Sequence, residues 1–275
     1  MIMAHLKRYL APKFWNIARK EYVFTIKPSP GPHPQDQCIP LLILLRDILH
    51  FAENTKEAKK ILNTGNILVD KKVRKDPKFP VGLMDVVEIA SIKKYFRIVP
   101  SPKGLELKEI KQEESDKKVC KINNKTRLKK NMIQLNLHDG KNILLKADDA
   151  KKYKVGDSLL IKLPEQKILQ HIELKVGENA IITMGKNKGL GGVIKEIYRR
   201  KTMLESSTIT LEADGKQIKT LKDYVMVIPS DFLGKTSSQT ERKKEVKKSE
   251  TKTAKKKTPT KSTLNKKQST KRVKK

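Results

Sequence analysis

The sequence predicts an α+β protein of several domains, and three observations predict it. Between residues 39 and 89 an apolar helical run and an amphipathic helix precede short strand-like runs. From residue 105 to residue 228, apolar and polar residues alternate between turn signals, as they do in half-buried strands. At Lys235 the composition shifts to a lysine-rich tail with few large apolar residues. A chain of 275 residues has room for two or three domains and a sizeable core. The expected division is a basic extension over 1–38, a small α+β module over 39–102, a central β domain over 103–175, a second β module over 176–232 and a tail over 233–275.

The extension has little periodicity. Lys7, Arg8, Lys13, Arg19, Lys20 and Lys27 are interleaved with Tyr9, Phe14, Trp15 and Tyr22. Such mixing suits phosphate contacts together with packing or base stacking. Lys7, Arg8, Lys13 and Trp15 are its candidate RNA contacts; for Trp15 the other reading is a staple onto the domain behind it. Pro28 to Pro34 is too rich in proline for helix and is expected to be extended and stiff.

Ile39 to Leu49 is almost wholly apolar, so it should be a helix buried on most sides. Pro40 suits the first turn, where a missing N–H has no intrahelical partner. Asn54-Thr55-Lys56-Glu57 reads as a capping box opening a second helix, Lys56 to Asn63. That helix places Ala58, Ile61 and Leu62 on one face and Lys56, Lys59 and Lys60 on the other. Gly65 stops it. Ile67-Leu68-Val69 is a strand, Asp70-Lys71-Lys72 a turn, Val73 resumes the strand, and Asp85 to Ile89 is another. Two helices on a small sheet with a Lys/Arg rim suit an RNA-reading module; the alternative is an α+β domain whose lysines are a solvated face. Arg46, Lys56, Lys59 and Lys60, with Lys72, Arg74 and Lys75, are its candidate contacts.

Val69 to Asp76 followed by Pro80 to Val86 resembles the S-four-type RNA-binding domain. More narrowly it resembles the archaeal and eukaryotic small-subunit ribosomal protein S-four-e family. Upstream, His5-Leu6-Lys7-Arg8, Ala11 to Trp15, Pro28 to His33 and Cys38 to Leu41 carry the likeness. Downstream, Lys118 to Lys121 and a glycine-spaced segment near residue 190 extend it. The resemblance covers roughly residues 5 to 228. It implies small-subunit rRNA and neighbouring ribosomal proteins as partners, a leader lying against rRNA, and Lys72 and Arg74 as phosphate or groove contacts. The leader departs from the pattern by lacking the glycine and extra basic residues that usually precede His-Leu-Lys-Arg, and the tail is not part of the pattern.

Pro100 to Gly104 is a turn cluster. Leu105 to Ile110 and Ile133 to Leu137 alternate as strands, and His138-Asp139-Gly140-Lys141 signals a hairpin. Asn142 to Leu145 and Ser158 to Leu163 continue the pattern, the latter after a Val155-Gly156-Asp157 turn. Ser115 to Lys118 and Asn123 to Asn131 are expected to be loops. Their Lys125, Arg127, Lys129 and Lys130 are read as solvated, with RNA contact as the alternative.

In Val176 to Ile194 glycines recur between apolar pairs. Gly185 and Gly189 would permit a tight loop with positive φ, and Gly192 a close backbone approach. The segment resembles the KOW motif of ribosomal and transcription-elongation proteins, which implies an SH3-like β-barrel. Lys186, Asn187 and Lys188 would occupy its loop tip. No Gly-Lys-Ser/Thr follows and no βαβ pattern surrounds it, so a phosphate-cofactor fingerprint is excluded. Ile209 to Glu212, an Asp214-Gly215 turn and Tyr224 to Ile228 supply further strands. Residues 235–275 hold seventeen Lys/Arg against three Glu and are expected to be disordered when free.

Lys+Arg number 62 and Asp+Glu 30, a net charge of +32 that suits a polyphosphate partner, with an anionic membrane or an acidic protein as the alternatives. No run is long enough for a bilayer and no secretory apolar core is seen, so no membrane is expected. Cys38 and Cys120 are far apart and suggest a reducing, cytoplasmic setting. Five scattered histidines do not read as a metal site. Aromatics at 5% argue against broad stacking on single strands. No Gly-Arg-Leu-Asp tetrapeptide or synthetase signature occurs, so no catalytic residue, cofactor or small-molecule substrate is assigned. The functional expectation is a structural constituent of the small ribosomal subunit that binds its rRNA and supports assembly and translation. The alternative is a non-ribosomal RNA-binding or KOW-type elongation factor.

Overall fold

A computed structural model describes residues 5–200, 202–213, 215–229 and 232. The expectation for 233–275 lies outside the described residues, as does Asp214 of the expected hairpin turn. The described residues all belong to one compact unit, Met1–Leu233.

The extension doubles back on itself. Its strand β1 (Leu6–Lys7) pairs antiparallel with β2 (Phe24–Thr25), Lys7 opposite Phe24. Next, β3 (Cys38–Pro40) pairs antiparallel with Pro80–Gly82, Ile39 opposite Val81. Ile39 and Pro40 are therefore strand, not helix. Pro40 has φ −60° and ψ 140°, and it disfavours helical geometry in the residue before it. The helix proper is α1 (Leu41–Ile43), which widens into a π turn over Leu44–Ile48. Leu49 N–H there bonds to Leu44 O at 2.9 Å. Leu41 through Leu45 are all buried, as an all-apolar sequence requires.

Helix α2 (Thr55–Asn63) starts one residue earlier than expected and carries the capping box. The Glu57 carboxylate accepts from the N–H of Glu53 at 3.0 Å and of Asn54 at 3.4 Å. Ala58 and Leu62 are buried, whereas Lys56, Lys59 and Lys60 face water. Gly65, at φ +79°, follows its C-cap and donates to Leu62 O.

Strands β4 (Ile67–Val69) and β5 (Lys72–Val73) form a hairpin. Its two turn residues, Asp70 and Lys71, both have positive φ, the geometry that suits strand twist. After β6 (Pro80–Gly82) come β7 (Val86–Ile89), β8 (Lys94–Ser101) and β9 (Gly104–Ile110). The sheet order is β5-β4-β7-β8-β9. Leu105 to Ile110 were expected in the central β domain. They instead complete this first sheet by pairing along β8, because a two-residue turn at Pro102-Lys103 folds β9 directly back.

A short α3 (Gln112–Ser115) leads into β10 (Lys117–Arg127), the longest strand here. Most of the two expected loops at 115–118 and 123–131 is thus strand. The lysines disguised it, because one of them, Lys118, points inward. With β11 (Met132–Leu137), β12 (Asn142–Lys146), β13 (Ser158–Lys162) and β14 (Lys167–Ile172), β10 builds an antiparallel sheet of order β12-β11-β10-β13-β14. One helical turn, α4 (Ala147–Ala150), follows β12.

The last sheet has order β18-β17-β16-β15-β19 and is also antiparallel. Its strands are β15 (Asn179–Ile182), β16 (Gly191–Tyr198), β17 (Thr208–Ala213), β18 (Lys216–Leu221) and β19 (Val225–Val227). One buried cluster stitches the three large sheets together. It takes Met84 from the turn before β7, Val119 and Leu160 from the central sheet, Ile181 and Met226 from the last sheet and Ile228 just past β19.

Candidate nucleic-acid interface

The outer face of α2 presents Lys56, Lys59 and Lys60, all exposed. The β5 hairpin lies beside its C-terminal end. A Cβ on Gly65 would stand 3.5 Å from Val73 and 3.9 Å from the Lys75 side chain. Lys72 and Lys75 are exposed as well. Arg74 is half-buried, and its guanidinium stacks 4.3 Å from the Phe79 ring centre. Arg46 is also half-buried. It grips the Asp47 carboxylate at 2.8 and 3.3 Å and the Thr55 hydroxyl at 3.0 Å, which ties α1 to the start of α2.

Two expected leader contacts turn inward. Arg8 is only 2% exposed. Its Nε donates to Ala18 O, and its Nη2 donates to Glu21 at 3.1 Å. It is the clasp that closes the leader loop, and its donors are spent on the chain. Trp15 is 1% exposed, and its indole N–H donates to Cys38 O at 2.7 Å. That bond staples the leader to β3. Lys7 and Lys13 stay exposed.

The glycine-spaced loop joins β15 to β16. Gly185 and Gly189 have φ of +89° and +83°. A Cβ on Gly189 would come within 2.6 Å of the Ser101 backbone, and one on Gly192 would overlap the Glu212 carbonyl. The loop is thereby pressed against the β8–β9 turn. Lys186 is exposed and Asn187 half-buried. The Lys188 ammonium lies 5.2 Å from the Phe14 ring centre, so the loop also meets the leader. Burial lowers the Lys188 pKa.

Sequence reading missed a buried ionic cluster behind these surfaces. Lys118 is 1% exposed. Its Nζ lies 2.5 Å from Asp85, 2.7 Å from Asp70 and 3.0 Å from Asp139. Lys141 adds contacts to Asp70 at 2.6 Å and Asp139 at 3.3 Å, and His33 reaches Asp85 at 3.0 Å. Burial alone would raise both Asp85 and Asp139. The Lys118 ammonium overrides it and holds the two carboxyls well below the usual carboxylate range. Burial alone would lower Lys118; Asp85 and Asp70 drive its pKa well above the ordinary lysine value. Burial and Lys118 push His138 down to about 4. Burial pushes the Cys38 thiol up to about 12 and raises Cys120 as well.

Cys120, His138 and Asp139 place ligand-type atoms within 4.8 Å of one another. Their chemistry is that of an ionic joint. Lys118 supplies the cation beside Asp139. His138 Nδ1 accepts the Lys121 N–H at 3.2 Å, while its Nε2 faces Leu83 O at 3.1 Å. The joint binds the leader, the first sheet and the central sheet through His33, Asp70 and Asp85, and Lys118. The sequence-level signal was faint: Lys118 opens a run of alternating apolar residues, Val119 to Ile122, in which a lysine looks like a surface position.

Three family models match in order along the chain. They are the RS4NT domain over residues 3–36, the S4 domain over 40–87 and the ribosomal family S4e over 92–168. Small ribosomal subunit protein eS4 of Methanocaldococcus jannaschii is 48% identical over 230 residues, covering 82% of this chain and 93% of the relative. The Ignicoccus hospitalis protein of the same name is 46% identical over 235 residues, covering 82% and 91%. The crystal structure of 30S ribosomal protein S4e from Thermoplasma acidophilum aligns with a TM-score of 0.62 at 33% identity, covering 71% of this chain and 96% of that one. Matched by such relatives over more than nine-tenths of their own length, the chain belongs to the eS4 family of small ribosomal subunit proteins.

Proposed function

We propose that the chain is a structural constituent of the small ribosomal subunit, where it binds ribosomal RNA and supports assembly and translation in the cytoplasm. Membership of the eS4 family carries this reading, and with it a structural role in place of an enzymatic one. Small-subunit rRNA and neighbouring small-subunit proteins are the partners.

The contact surface is the cationic end of the first sheet. Lys56, Lys59, Lys60, Lys72 and Lys75 are exposed and form no ion pair among the described residues, so they are free to replace counterions on phosphates. Arg74, braced on Phe79, keeps guanidinium N–H groups for a phosphate or a groove edge. Lys7 and Lys13 extend the surface along the leader, with Lys186 and Asn187 at the glycine loop. Arg8, Arg46 and Trp15 position these groups from behind. The antiparallel sheet over 179–227, with its glycine loop between β15 and β16, supports reading 176–232 as an SH3-like element carrying a KOW motif. The segments 1–38, 39–102, 103–175 and 233–275 complete the proposed division, and the pairing of β9 with β8 favours carrying the second segment on to residue 110.

Sedimentation of a tagged copy through a sucrose gradient, before and after a high-salt wash, tests the reading. Retention in the small-subunit peak after the wash is expected. Loss of all co-sedimentation at moderate salt overturns it and favours a peripheral RNA-binding factor.

A further inference from the structure

A cleft of about 610 Å³ opens where the leader, the central sheet and the last sheet meet. Its volume lies in the range typical of small-ligand sites, roughly 300–1,000 Å³. Its wall divides by chemistry. Lys121, Lys188 and Lys222 supply ammonium groups, and no carboxylate forms an ion pair with any of them among the described residues. The Lys121 Nζ donates instead to the carbonyls of Asp223 at 2.6 Å and Lys222 at 3.4 Å. Leu83, Leu105 and Met184 give apolar and thioether surface, with the fully buried Met226 beneath them. Asp36 and Asp223 add acceptors that form no ion pair among the described residues.

Each part has a counterpart in one chemical class. Ammonium groups that form no ion pair suit a phosphate. A methionine and two leucines suit the flat face of a base, since thioether sulfur packs well on aromatic rings. A carboxylate suits an exocyclic amino group at a base edge, as Asp and Glu accept from cytosine N4. We propose that this cleft receives a single unstacked nucleotide of an RNA chain, with its phosphate at the lysines and its base against Met184. Only the source of that nucleotide rests on the ribosomal reading above; the cleft's chemistry stands without it. Burial supports the assignment, because it lowers Lys121 to about 8 and lowers Lys188 too, a cost that an arriving phosphate would relieve.

The test uses the purified full chain with 13C-methyl-labelled methionine. The probes are cytidine 5′-monophosphate, a single-stranded hexacytidylate RNA and inorganic phosphate. Saturable shifts of the Met184 methyl signal are expected with the mononucleotide, and at lower concentration with the hexanucleotide. Met132 and Met203, outside the cleft, should not move. Lys188→Met, which keeps packing against Phe14, and Lys222→Ala should each raise the apparent Kd at least fivefold. The proposal fails if the Met184 methyl stays still, or if the variants bind as the parent does. Equal shifts from inorganic phosphate at equal concentration overturn it in favour of a plain anion patch. Shifts from the mononucleotide without any from the hexanucleotide overturn RNA as the source. Methyl shifts in a protein that fails to co-sediment with the small subunit would sink the ribosomal reading and leave the cleft standing. Co-sedimentation without methyl shifts would do the reverse.

Discussion

Lys118 carries its charge where water has almost no access, so its worth lies in the carboxylates around it. Remove it, and Asp85 and Asp139 remain buried without their main counter-charge. Lys118→Ala is therefore expected to cost roughly 3–5 kcal/mol, the usual penalty for breaking a buried ion pair from one side. Urea unfolding checks this, and a loss under about 1 kcal/mol would mean that water or Lys141 takes over the role. The same cluster sets the acid limb of stability. His138 has a folded pKa near 4 against an ordinary 6.5, so the unfolded chain binds more protons between those values. Its contribution is complete above pH 6.5 and is lost as pH falls to about 4. Asp85 and Asp139 are depressed below the ordinary carboxylate value of about 4, so their contribution fades only below that pH. A two-stage acid decline in the unfolding midpoint is expected, and His138→Asn should remove the first stage. At this scale the sequence was least informative. Arg8 and Lys118 read as polar or contact residues in a basic segment, yet both are inside, as is Trp15, for which a staple onto the domain was one of two readings. What buries them is a long-range partner: Glu21 for Arg8, Cys38 O for Trp15, and Asp85 for Lys118. Local pattern does not encode such partners.

Elements were more legible, because capping, turn and glycine signals are local. The Asn54–Glu57 box, the Gly65 stop and the Asp70-Lys71 hairpin turn were all visible as residue types. The failures have identifiable causes. Pro40 was read as a helix opener when its effect on Ile39 makes a strand, and lysines hid the alternation of β10. Gly189 shows what an element junction demands beyond a local turn. Its φ of +83° already disfavours a side chain, and a Cβ there would also strike the Ser101 backbone at 2.6 Å. Gly177 provides the control, with φ +92° and nothing within 4 Å. Gly177→Ala should cost about 1 kcal/mol from backbone conformation alone. Gly189→Ala should cost clearly more, since either the glycine loop or the β8–β9 turn has to move. Denaturant midpoints for the two variants decide it. Equal losses would mean that the contact between sheets yields freely and contributes little.

At the scale of the whole molecule, the order of modules could be read from short blocks and composition, but their docking could not. The shared seam of Met84, Val119, Leu160, Ile181, Met226 and Ile228 joins residues scattered over some 140 positions, and each one looks like ordinary strand core. That docking bears on how charge is used. The net charge is +32, of which residues 235–275 supply +14, so the body retains +18. Charge alone binds any RNA and is screened by salt, with log K falling by about 0.7–0.9 per phosphate contact for each tenfold rise in salt. Specific retention needs cations fixed in shape, which Lys72 and Lys75 have and a lysine-rich segment does not require. A chain ending at residue 234 should therefore bind a non-cognate duplex RNA with a visibly shallower salt slope. It should still stay in the small-subunit peak after a high-salt wash. A Lys72→Ala, Lys75→Ala double variant should behave oppositely, keeping most of the non-cognate affinity and the slope to within about two contacts while leaving the subunit more readily. If the truncated chain washes off and the double variant does not, the hold on the subunit comes from the tail's charge, and the cationic end of the first sheet is only a solvated face.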